Sequence, residues 1–380
     1  MRYFFFFLAA ALLLAGCGDK NIEFNGTVTG ANTGKVLIRN AADEIVYEAD
    51  VADGKFHINK QALTRPGFYK IGVLTGGTIS KKHEIYLEGG SNYTIDIDPK
   101  AADVYPDIKS SSKKQTELSG YYILLKDAKA AARVKVMELD AQMQQLGDAA
   151  VTAIERSNRM QQLRNLQLDA NVVDMARLFN DFIKKYPESE LTPYLMLNTE
   201  YQLNPVGYYE AFKKLSDGAK GTDEGKQLEE KLKQLTHLAA GGEAPAIEGT
   251  TPEGKTIDLK TLNKKVIIID FWRALNSQSL GDHTRMAKEL LPAYASKGLG
   301  VVSISFDDKR AQWLAYIAKS NMTWPQISDL KGEASPNAEN WAITKIPTYY
   351  LLNGNGKIIK RCLDYYELEV AVNDYMAKHP

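Results

Sequence analysis

The residues best placed to do chemistry follow an apolar, mostly β-branched run at positions 266–272. Asn276, Ser277 and Ser279 come first, and His283 follows four positions after Ser279. Because residues four apart share a helix face, Ser279 and His283 could act as nucleophile and base in a serine hydrolase. No partner for an oxyanion is evident, however, and asparagine and serine are strong helix N-caps. The pattern therefore favours a capped helix beginning near Asn276 over a hydrolase.

These residues stand where a buried strand is predicted to lead into a helix. The run at 266–272 is almost entirely apolar, as expected of a parallel strand that is covered on both faces. The sequence after Asn276 can continue as a helix to about Ser296, and Leu299–Phe306 reads as a second buried strand. The C-terminal part of the chain is therefore predicted to be α/β.

The cysteine Cys17 ends a segment that is typical of protein export. Arg2 precedes an apolar run from Tyr3 to Leu14, which has the length of a signal-peptide core and is too short to span a bilayer. The sequence Leu14-Ala15-Gly16-Cys17 resembles a bacterial lipobox, in which the cysteine is lipidated and becomes the mature N-terminus. This resemblance implies a lipoprotein of the bacterial cell envelope, anchored to membrane lipid through Cys17, with its globular part in the periplasm. An ordinary signal peptide is the alternative.

The other cysteine, Cys362, is then the one remaining thiol of the chain. If Cys17 carries lipid, no intramolecular disulfide can form in the mature protein. A lone thiol in an oxidising compartment is more often buried than reactive. We therefore expect Cys362 to be an inert, partly buried thiol. A reactive thiol is the alternative.

The predicted position of Cys362 follows from a hairpin. Asn353-Gly354-Asn355-Gly356 is a turn sequence, so the strand Lys357–Leu363 should return antiparallel to Thr348–Leu352. Cys362 should then lie at the Pro347 end of the sheet. Strand alternation predicts that it shares a face with Ile358 and Lys360.

Length and composition exclude some classes of function. The chain has 380 residues, with 47 Lys plus Arg and 47 Asp plus Glu, and its formal net charge is zero. This balance gives no sign of a nucleic-acid partner. The length is sufficient for two or three domains, each with its own core.

Four segments are predicted along the chain. Residues 1–17 form the lipoprotein signal peptide with its lipobox, and period-two alternation over residues 18–105 predicts an all-β sandwich or open barrel of seven or eight short strands. Residues 106–240 are rich in helix formers and form a central α-helical region, for which an intramolecular bundle is favoured over coiled-coil pairing with a partner. Residues 241–380 begin with a Gly-rich linker at 241–246 and form the α/β domain.

The C-terminal segment resembles a known family in several motifs. Asp270-Phe271-Trp272 before a strand-to-helix turn resembles the active-site approach of thioredoxin-fold thiol-disulfide oxidoreductases, where the pattern continues Trp-Cys-x-x-Cys. The two cysteine positions fall on Asn276 and Ser279, so the sulfur is absent. Residues 324–330, Ile346-Pro347-Thr348 and the turn at 353–357 extend the resemblance to the TlpA/ResA branch, of AhpC/TSA type, over residues 241–380. Residues 18–105 resemble the uncharacterised β domain that precedes such domains in many envelope lipoproteins.

The resemblance implies a binding site without catalytic residues. In the family the proline matching Pro347 is cis, and the backbone before it pairs with an extended substrate peptide. Asp270 matches a buried acid that exchanges a proton with the inner cysteine. The resemblance therefore implies a peptide-binding groove without redox chemistry, and the alternative is that the turn persists as plain scaffold. We expect no cofactor and no metal. The candidate peptide-binding residues are Trp272, Asn276, Ser279, Ile346, Pro347 and Thr348.

Three functional hypotheses follow from these residues. The first is a membrane-anchored envelope lipoprotein whose thioredoxin-like domain binds peptides or envelope proteins without catalysis. The second is a thiol-disulfide interchange protein that uses Cys362 together with an external thiol. The third is a hydrolase centred on Ser279. The cysteine count favours the first over the second, because thiol-disulfide exchange needs a thiolate and a resolving thiol.

Overall fold

The structure is a computed structural model that describes residues 20–148, 152–320 and 322–379. Cys17 and the predicted signal segment lie outside the described residues. Contacts between Cα atoms divide the chain into two compact units. The first, the N-terminal unit, holds the described residues up to 195 together with 214–219, and the second, the C-terminal unit, holds 196–213 and the described residues from 220 onward.

A single β-sheet forms the core of the N-terminal unit. Its strands follow one another in the order β6-β5-β2-β3-β4-β1-β8-β9, and β7 pairs with β5. The strands are β1 Asn21–Val28, β2 Thr33–Arg39, β3 Ile45–Ala52, β4 Lys55–Ala62, β5 Gly67–Thr75, β6 Thr78–Ile79, β7 His83–Leu87, β8 Asn92–Ile97 and β9 Asp107–Ser110. The predicted all-β architecture is confirmed as a β-rich half-barrel. The prediction of a sandwich is not confirmed, because these strands are joined in one hydrogen-bonded sheet.

The alternation seen in the sequence buries one face of this sheet. Phe24, Ile71 and Ile95, on three different strands, are each fully buried in one apolar cluster. Gly26 sits where β1 approaches β8 so closely that a Cβ atom would lie 2.0 Å from the carbonyl oxygen of Ile95. A side chain at this position would therefore force the two strands apart.

Helices make up the middle of the chain, as the composition predicts. The first, α1, spans Lys113–Asp148 and has 36 residues, which corresponds to about 54 Å of helix. It packs within the chain against the next two helices. The other bounds are α2 Ala153–Ala170, α3 Met175–Lys185, α4 Thr192–Leu197, α5 Pro205–Lys213, α6 Asp217–Gly221 and α7 Asp223–His237. None of the helices among the described residues combines the length and the apolarity needed to cross a membrane.

A five-stranded sheet with flanking helices forms the rest of the C-terminal unit. Its order is β12-β11-β10-β13-β14, with β10, β11 and β12 parallel and the last two antiparallel. The strands are β10 Val266–Trp272, β11 Leu299–Ser305, β12 Gln326–Ser328, β13 Thr348–Asn353 and β14 Ile358–Cys362. The helices are α8 Ser277–Arg285, α9 Leu291–Tyr294, α10 Arg310–Lys319, α11 Pro336–Asn340 and α12 Tyr365–Lys378, and a π-helical turn, Met286–Leu290, joins α8 to α9.

The segment 241–250, which begins with the predicted linker at 241–246, covers both edges of this sheet. Gly241 N–H donates to Ile358 O at 2.7 Å, and Ile358 N–H donates to Gly242 O at 2.8 Å. At the other edge, Thr250 and Ser328 exchange two backbone hydrogen bonds of 3.1 Å. Because unpaired strand edges invite association with other chains, these short pairings protect the sheet. The domain boundaries drawn from the sequence stay predictions.

Candidate functional site

The start of α8 is fixed by a single asparagine side chain. Asn276 is the N-cap, and its Oδ1 accepts a hydrogen bond of 2.9 Å from Ser279 N–H. Its Nδ2 donates at 3.2 Å to the carbonyl oxygen of Ile346, which precedes Pro347. The Ile346–Pro347 peptide bond is cis. The predicted cap is confirmed, and the structure adds a link from the helix to the Pro347 loop that the sequence does not reveal.

Ser279 is buried and not activated as a nucleophile. Its side chain is 0% exposed, and its Oγ lies 3.4 Å from Asn276 Oδ1. His283 shares the helix face, but its Nε2 bonds to Asp270 at 2.8 Å. The hydrogen bonds found among the described residues include none between Ser279 and His283. The hypothesis of a hydrolase centred on Ser279 therefore lacks both the activating contact and access for a substrate.

Asp270 is the centre of a buried polar network. Its Oδ2 accepts hydrogen bonds from Ser303 Oγ at 2.6 Å and from His283 Nε2 at 2.8 Å. Trp324 Nε1 donates in turn to Ser303 Oγ at 2.8 Å. Asp270 and His283 are 0% and 1% exposed. The network is centred on Asp270 Oδ2 and excluded from solvent, whereas Asp270 Oδ1 and His283 Nδ1 are buried without a hydrogen-bond partner among the described residues.

A second carboxylate lies next to this network. Asp282, on α8, accepts a hydrogen bond of 2.7 Å from Tyr349 Oη. Burial raises the pKa of Asp282, and the nearby charge of Asp270 adds to the increase. Burial also raises the pKa of Tyr349, so this phenol stays protonated and acts as the donor. The sequence does not single out Asp282, Tyr349 or Ser303 as site residues.

The loop between β10 and α8 is held by hydrogen bonds at residues 273 and 274, and the next residue is exposed to solvent. Both carboxylate oxygens of Asp307 accept from Ala274 N–H, at 3.2 and 3.1 Å, and Ser305 Oγ donates to the same carboxylate at 2.6 Å. Arg273 Nε donates to Phe306 O at 3.2 Å. The following residue, Leu275, is 82% exposed. An apolar side chain is therefore held in solvent by a loop whose backbone is anchored.

Burial separates the six candidate peptide-binding residues into two groups. Trp272, Ser279 and Thr348 are each 0% exposed, and Pro347 is buried as well. Their side chains are part of the core, so none of the four can contact a peptide directly in this conformation. Asn276 and Ile346 are partly exposed and adjacent.

Cys362 lies where the hairpin predicts, but its surroundings differ. It pairs with Tyr349 across β13 and β14, next to the start of β13, which confirms its position at the Pro347 end of the sheet. The pairing skips Ile359, because Leu351 lies opposite Lys360 whereas Leu352 lies opposite Ile358. This bulge puts Ile358 on the other face. The predicted shared face of Cys362 and Ile358 is therefore wrong, and Ile359 packs in the cluster of Cys362 instead.

The thiol of Cys362 is fully buried rather than partly buried. Its exposure is 0%, and burial raises its pKa to about 12. Because the thiolate is the reactive form, both effects oppose nucleophilic chemistry. Among the described residues, no cluster of histidine, cysteine or carboxylate side chains is arranged to hold a metal ion.

The parallel sheet, the capped helix and the Pro347 loop lie in a region that is similar to known proteins. Residues 240–361 match the AhpC/TSA family. This region belongs to the AhpC/TSA thioredoxin-like family. The AhpC/TSA domain is also similar to thiol-disulfide oxidoreductase ResA of Bacillus thuringiensis, at 27% identity over 123 residues, which are 32% of this chain and 69% of the relative.

Two solved structures are similar to parts of this chain. The thioredoxin domain of a thiol-disulfide oxidoreductase from Bacteroides vulgatus is 27% identical and covers 37% of this chain and 99% of its own, with a TM-score of 0.34. A thioredoxin-like protein from Bacteroides caccae is 15% identical and covers 60% of this chain and 83% of its own, with a TM-score of 0.46. The predicted family of the C-terminal domain is confirmed by the family match and the ResA relatives.

Proposed function

We propose that the AhpC/TSA domain binds an extended protein segment and performs no redox chemistry. The observation that carries this proposal is the pair of hydrogen bonds made by the Asn276 side chain, at a position that the sequence resemblance aligns with the first cysteine of the family's pair. Its amide caps α8 and donates to Ile346 O. The side chain at this position therefore connects the helix to the Pro347 loop and offers no nucleophile. The other position, Ser279, is a buried hydroxyl.

An exposed apolar rim around Asn276 supports binding. The rim consists of Leu275, Leu280 and Ile346, of which Leu275 and Leu280 are 82% and 38% exposed. Leu275 precedes Asn276, Leu280 N–H donates to Asn276 O at 3.3 Å, and Ile346 O accepts from the Asn276 amide. Apolar side chains of a partner can bury against the rim, which is favourable in proportion to the apolar area covered. Because Asn276 already bonds the Ile346 carbonyl, we assign recognition to these side chains rather than to backbone pairing there.

Site-specific photocrosslinking tests this proposal. A photoreactive amino acid at Gln278, which is exposed beside the rim, should give discrete crosslinked species in the native envelope. Leu275→Asp should abolish them by placing a charge in the rim. Leu166→Asp, at a residue 53% exposed in the N-terminal unit, is the matched control and should leave them intact. Crosslinks that survive Leu275→Asp unchanged would show that the rim is not the binding surface.

We expect background activity in an insulin-reduction assay with a thiol donor. Neither Asn276 nor Ser279 carries sulfur, and exchange needs an attacking thiolate. The double variant Asn276→Cys with Ser279→Cys is the matched control, because it restores a cysteine pair at the start of a helix, where thiolates are stabilised. Turnover by the parent chain that persists after Cys362→Ser would contradict the proposal, since the domain would then contain no thiol.

The relatives named thiol-disulfide oxidoreductases keep a second function under consideration. In that function Cys362 would exchange with an external thiol. The buried position of Cys362 and its raised pKa weigh against it. We therefore rank thiol-disulfide interchange below binding.

We also propose that the chain is a lipoprotein of the bacterial cell envelope, with its globular part in the periplasm. The support is the sequence alone, an apolar run that ends at Leu-Ala-Gly-Cys. Multiple acyl chains on one residue give a lasting anchor. Cys17→Ala should therefore move the protein out of the membrane fraction or misroute it. Fractionation of parent and variant from the same cells decides this, and an unchanged membrane fraction would argue against the anchor.

A further inference from the structure

The half-barrel of the N-terminal unit has an opening between two strands that α1 closes only in part. Gln115, in the first turn of α1, accepts from Tyr86 N–H of β7 at 2.7 Å and donates to Tyr105 Oη at 3.2 Å. Ser119 Oγ donates to Ile108 O of β9 at 3.3 Å. Side chains of α1 thus satisfy polar groups along β7 and β9. A cavity of about 560 Å³ remains open between these two strands. It is also bordered by the 102–106 loop and the next turns of α1, and we call it the seam cavity.

One wall of the seam cavity is aromatic and fixed in place. Tyr105 is held by hydrogen bonds to Glu84 O and Gln115, and the ring of Tyr122 stacks on it at 3.9 Å with an angle of 9°. Two apolar side chains at the cavity, Val104 and Ile123, are 50% and 54% exposed. The stacked rings are already ordered, so binding of a flat apolar molecule should cost little additional side-chain entropy at this wall.

The charged groups of the cavity are unequally paired. The carboxylate of Asp103 is 3.3 Å from Lys81 Nζ. Lys82 is likewise neutralised by Asp43 at 2.6 Å. By contrast, Lys126 and Lys129, one turn apart on α1, show no ion pair or hydrogen bond in the described part of the chain.

Each of the other carboxylates of the cavity has a polar partner. Asp96 accepts from Thr27 Oγ1, Asp98 from Lys100 N–H, and Glu84 from Tyr194 Oη. Asp107 lies 3.8 Å from Lys109. Lys126 and Lys129 are therefore the unpaired cations of the cavity lining among the described residues, because burial lowers the pKa of His83, which also lines the cavity.

We propose that the seam cavity binds a small amphipathic anion. The aromatic or aliphatic body of the ligand lies against Tyr122, Val104 and Ile123, and its carboxylate, sulfonate or phosphate group contacts Lys126 and Lys129. The cavity volume is within the range of about 300–1,000 Å³ that is usual for small-molecule sites, which form readily at the openings of β-barrels. This site lies entirely in the N-terminal unit and is independent of the function proposed for the AhpC/TSA domain.

A titration of the full-length chain with 8-anilinonaphthalene-1-sulfonate tests the site, with its uncharged analogue N-phenyl-1-naphthylamine as the comparison. The parent should bind the sulfonate in a saturable way and at least about tenfold more tightly than the amine. Lys126→Gln with Lys129→Gln should weaken sulfonate binding about tenfold, which corresponds to roughly 1.4 kcal/mol, and leave the amine unchanged. Tyr122→Ala should weaken both.

Lys135→Gln is the matched control, because Lys135 is exposed on α1, pairs with Glu138 and does not line the cavity. It should titrate as the parent does, and circular dichroism should show equal helix content in all variants. The proposal is overturned by equal affinity of the double lysine variant and the parent for the sulfonate. An equal loss in Lys135→Gln, or the absence of saturable binding to the parent, would overturn it as well.

Discussion

Asp270→Ala is expected to lower the free energy of unfolding of the C-terminal unit by about 3–5 kcal/mol. The substitution removes the acceptor of two buried hydrogen bonds, from Ser303 Oγ and from His283 Nε2. Each donor left without a partner in the core costs about 1–3 kcal/mol, and the lost side-chain volume adds to this. Because domains are stable by only about 5–15 kcal/mol, a loss of this size is a large fraction of the total.

The measurement is chemical denaturation followed by tryptophan fluorescence. The chain has four tryptophans, at positions 272, 313, 324 and 341, and all are buried in the C-terminal unit. Their emission therefore reports on this unit alone. Asp270→Asn keeps one acceptor oxygen and should cost less than Asp270→Ala. Asp308→Ala, at an exposed position, should stay within about 0.5 kcal/mol of the parent. A loss below about 1 kcal/mol for Asp270→Ala would mean that the network contributes little to stability.

The sequence predicts the parts of the site that depend on local rules. An N-cap hydrogen bond joins a side chain to the backbone N–H of a residue two or three positions later. Asn276 can therefore be assigned to the start of α8 without any knowledge of the fold. The apolar run of β10 likewise identifies a strand that is buried along its whole length. The hairpin turn at 353–356 places Cys362 correctly along the sheet for the same reason.

Interactions that depend on register between distant strands could not be predicted. Ser303 reaches Asp270 because β10 and β11 are parallel and these two residues are paired, which a sequence without a known register does not show. Asp282 and Tyr349 meet across 67 positions of the chain. The bulge at Ile359 is also not evident from the sequence. Its one extra residue in β14 places Ile358 on the opposite face of the sheet from the one that strict alternation predicts.

Asn276 shows how a local rule and a distant contact can share one side chain. The sequence explains its Oδ1, which caps α8, but not its Nδ2, which reaches Ile346 seventy positions away. A cysteine at this position could make neither hydrogen bond well, because its thiol is a weak donor and a weak acceptor. The asparagine therefore gives the helix and the Pro347 loop a connection that a catalytic thiol would not provide.

The last prediction is that Cys362 of the folded chain resists thiol-reactive reagents at pH 8. Its side chain is 0% exposed and its pKa is raised to about 12, against an ordinary value of 9.0. At pH 8 the thiolate fraction is then about 0.0001, compared with about 0.1 for an ordinary thiol, which predicts labelling at least about a thousandfold slower. The chain unfolded in denaturant should label at the ordinary rate.

A matched variant separates position from chemistry. Lys360→Cys in a Cys362→Ser background moves the thiol two residues along β14 to an exposed site, and should be labelled by a maleimide at the ordinary rate. The raised pKa also predicts a pH effect on stability. Between about pH 9 and 12 the unfolded chain ionises this thiol while the folded chain keeps it protonated, so the stability of the parent should fall relative to Cys362→Ser as pH rises. Rapid labelling of folded parent at pH 8, with the C-terminal unit shown to be intact by its tryptophan emission, would refute the buried thiol and make disulfide exchange at Cys362 the leading function.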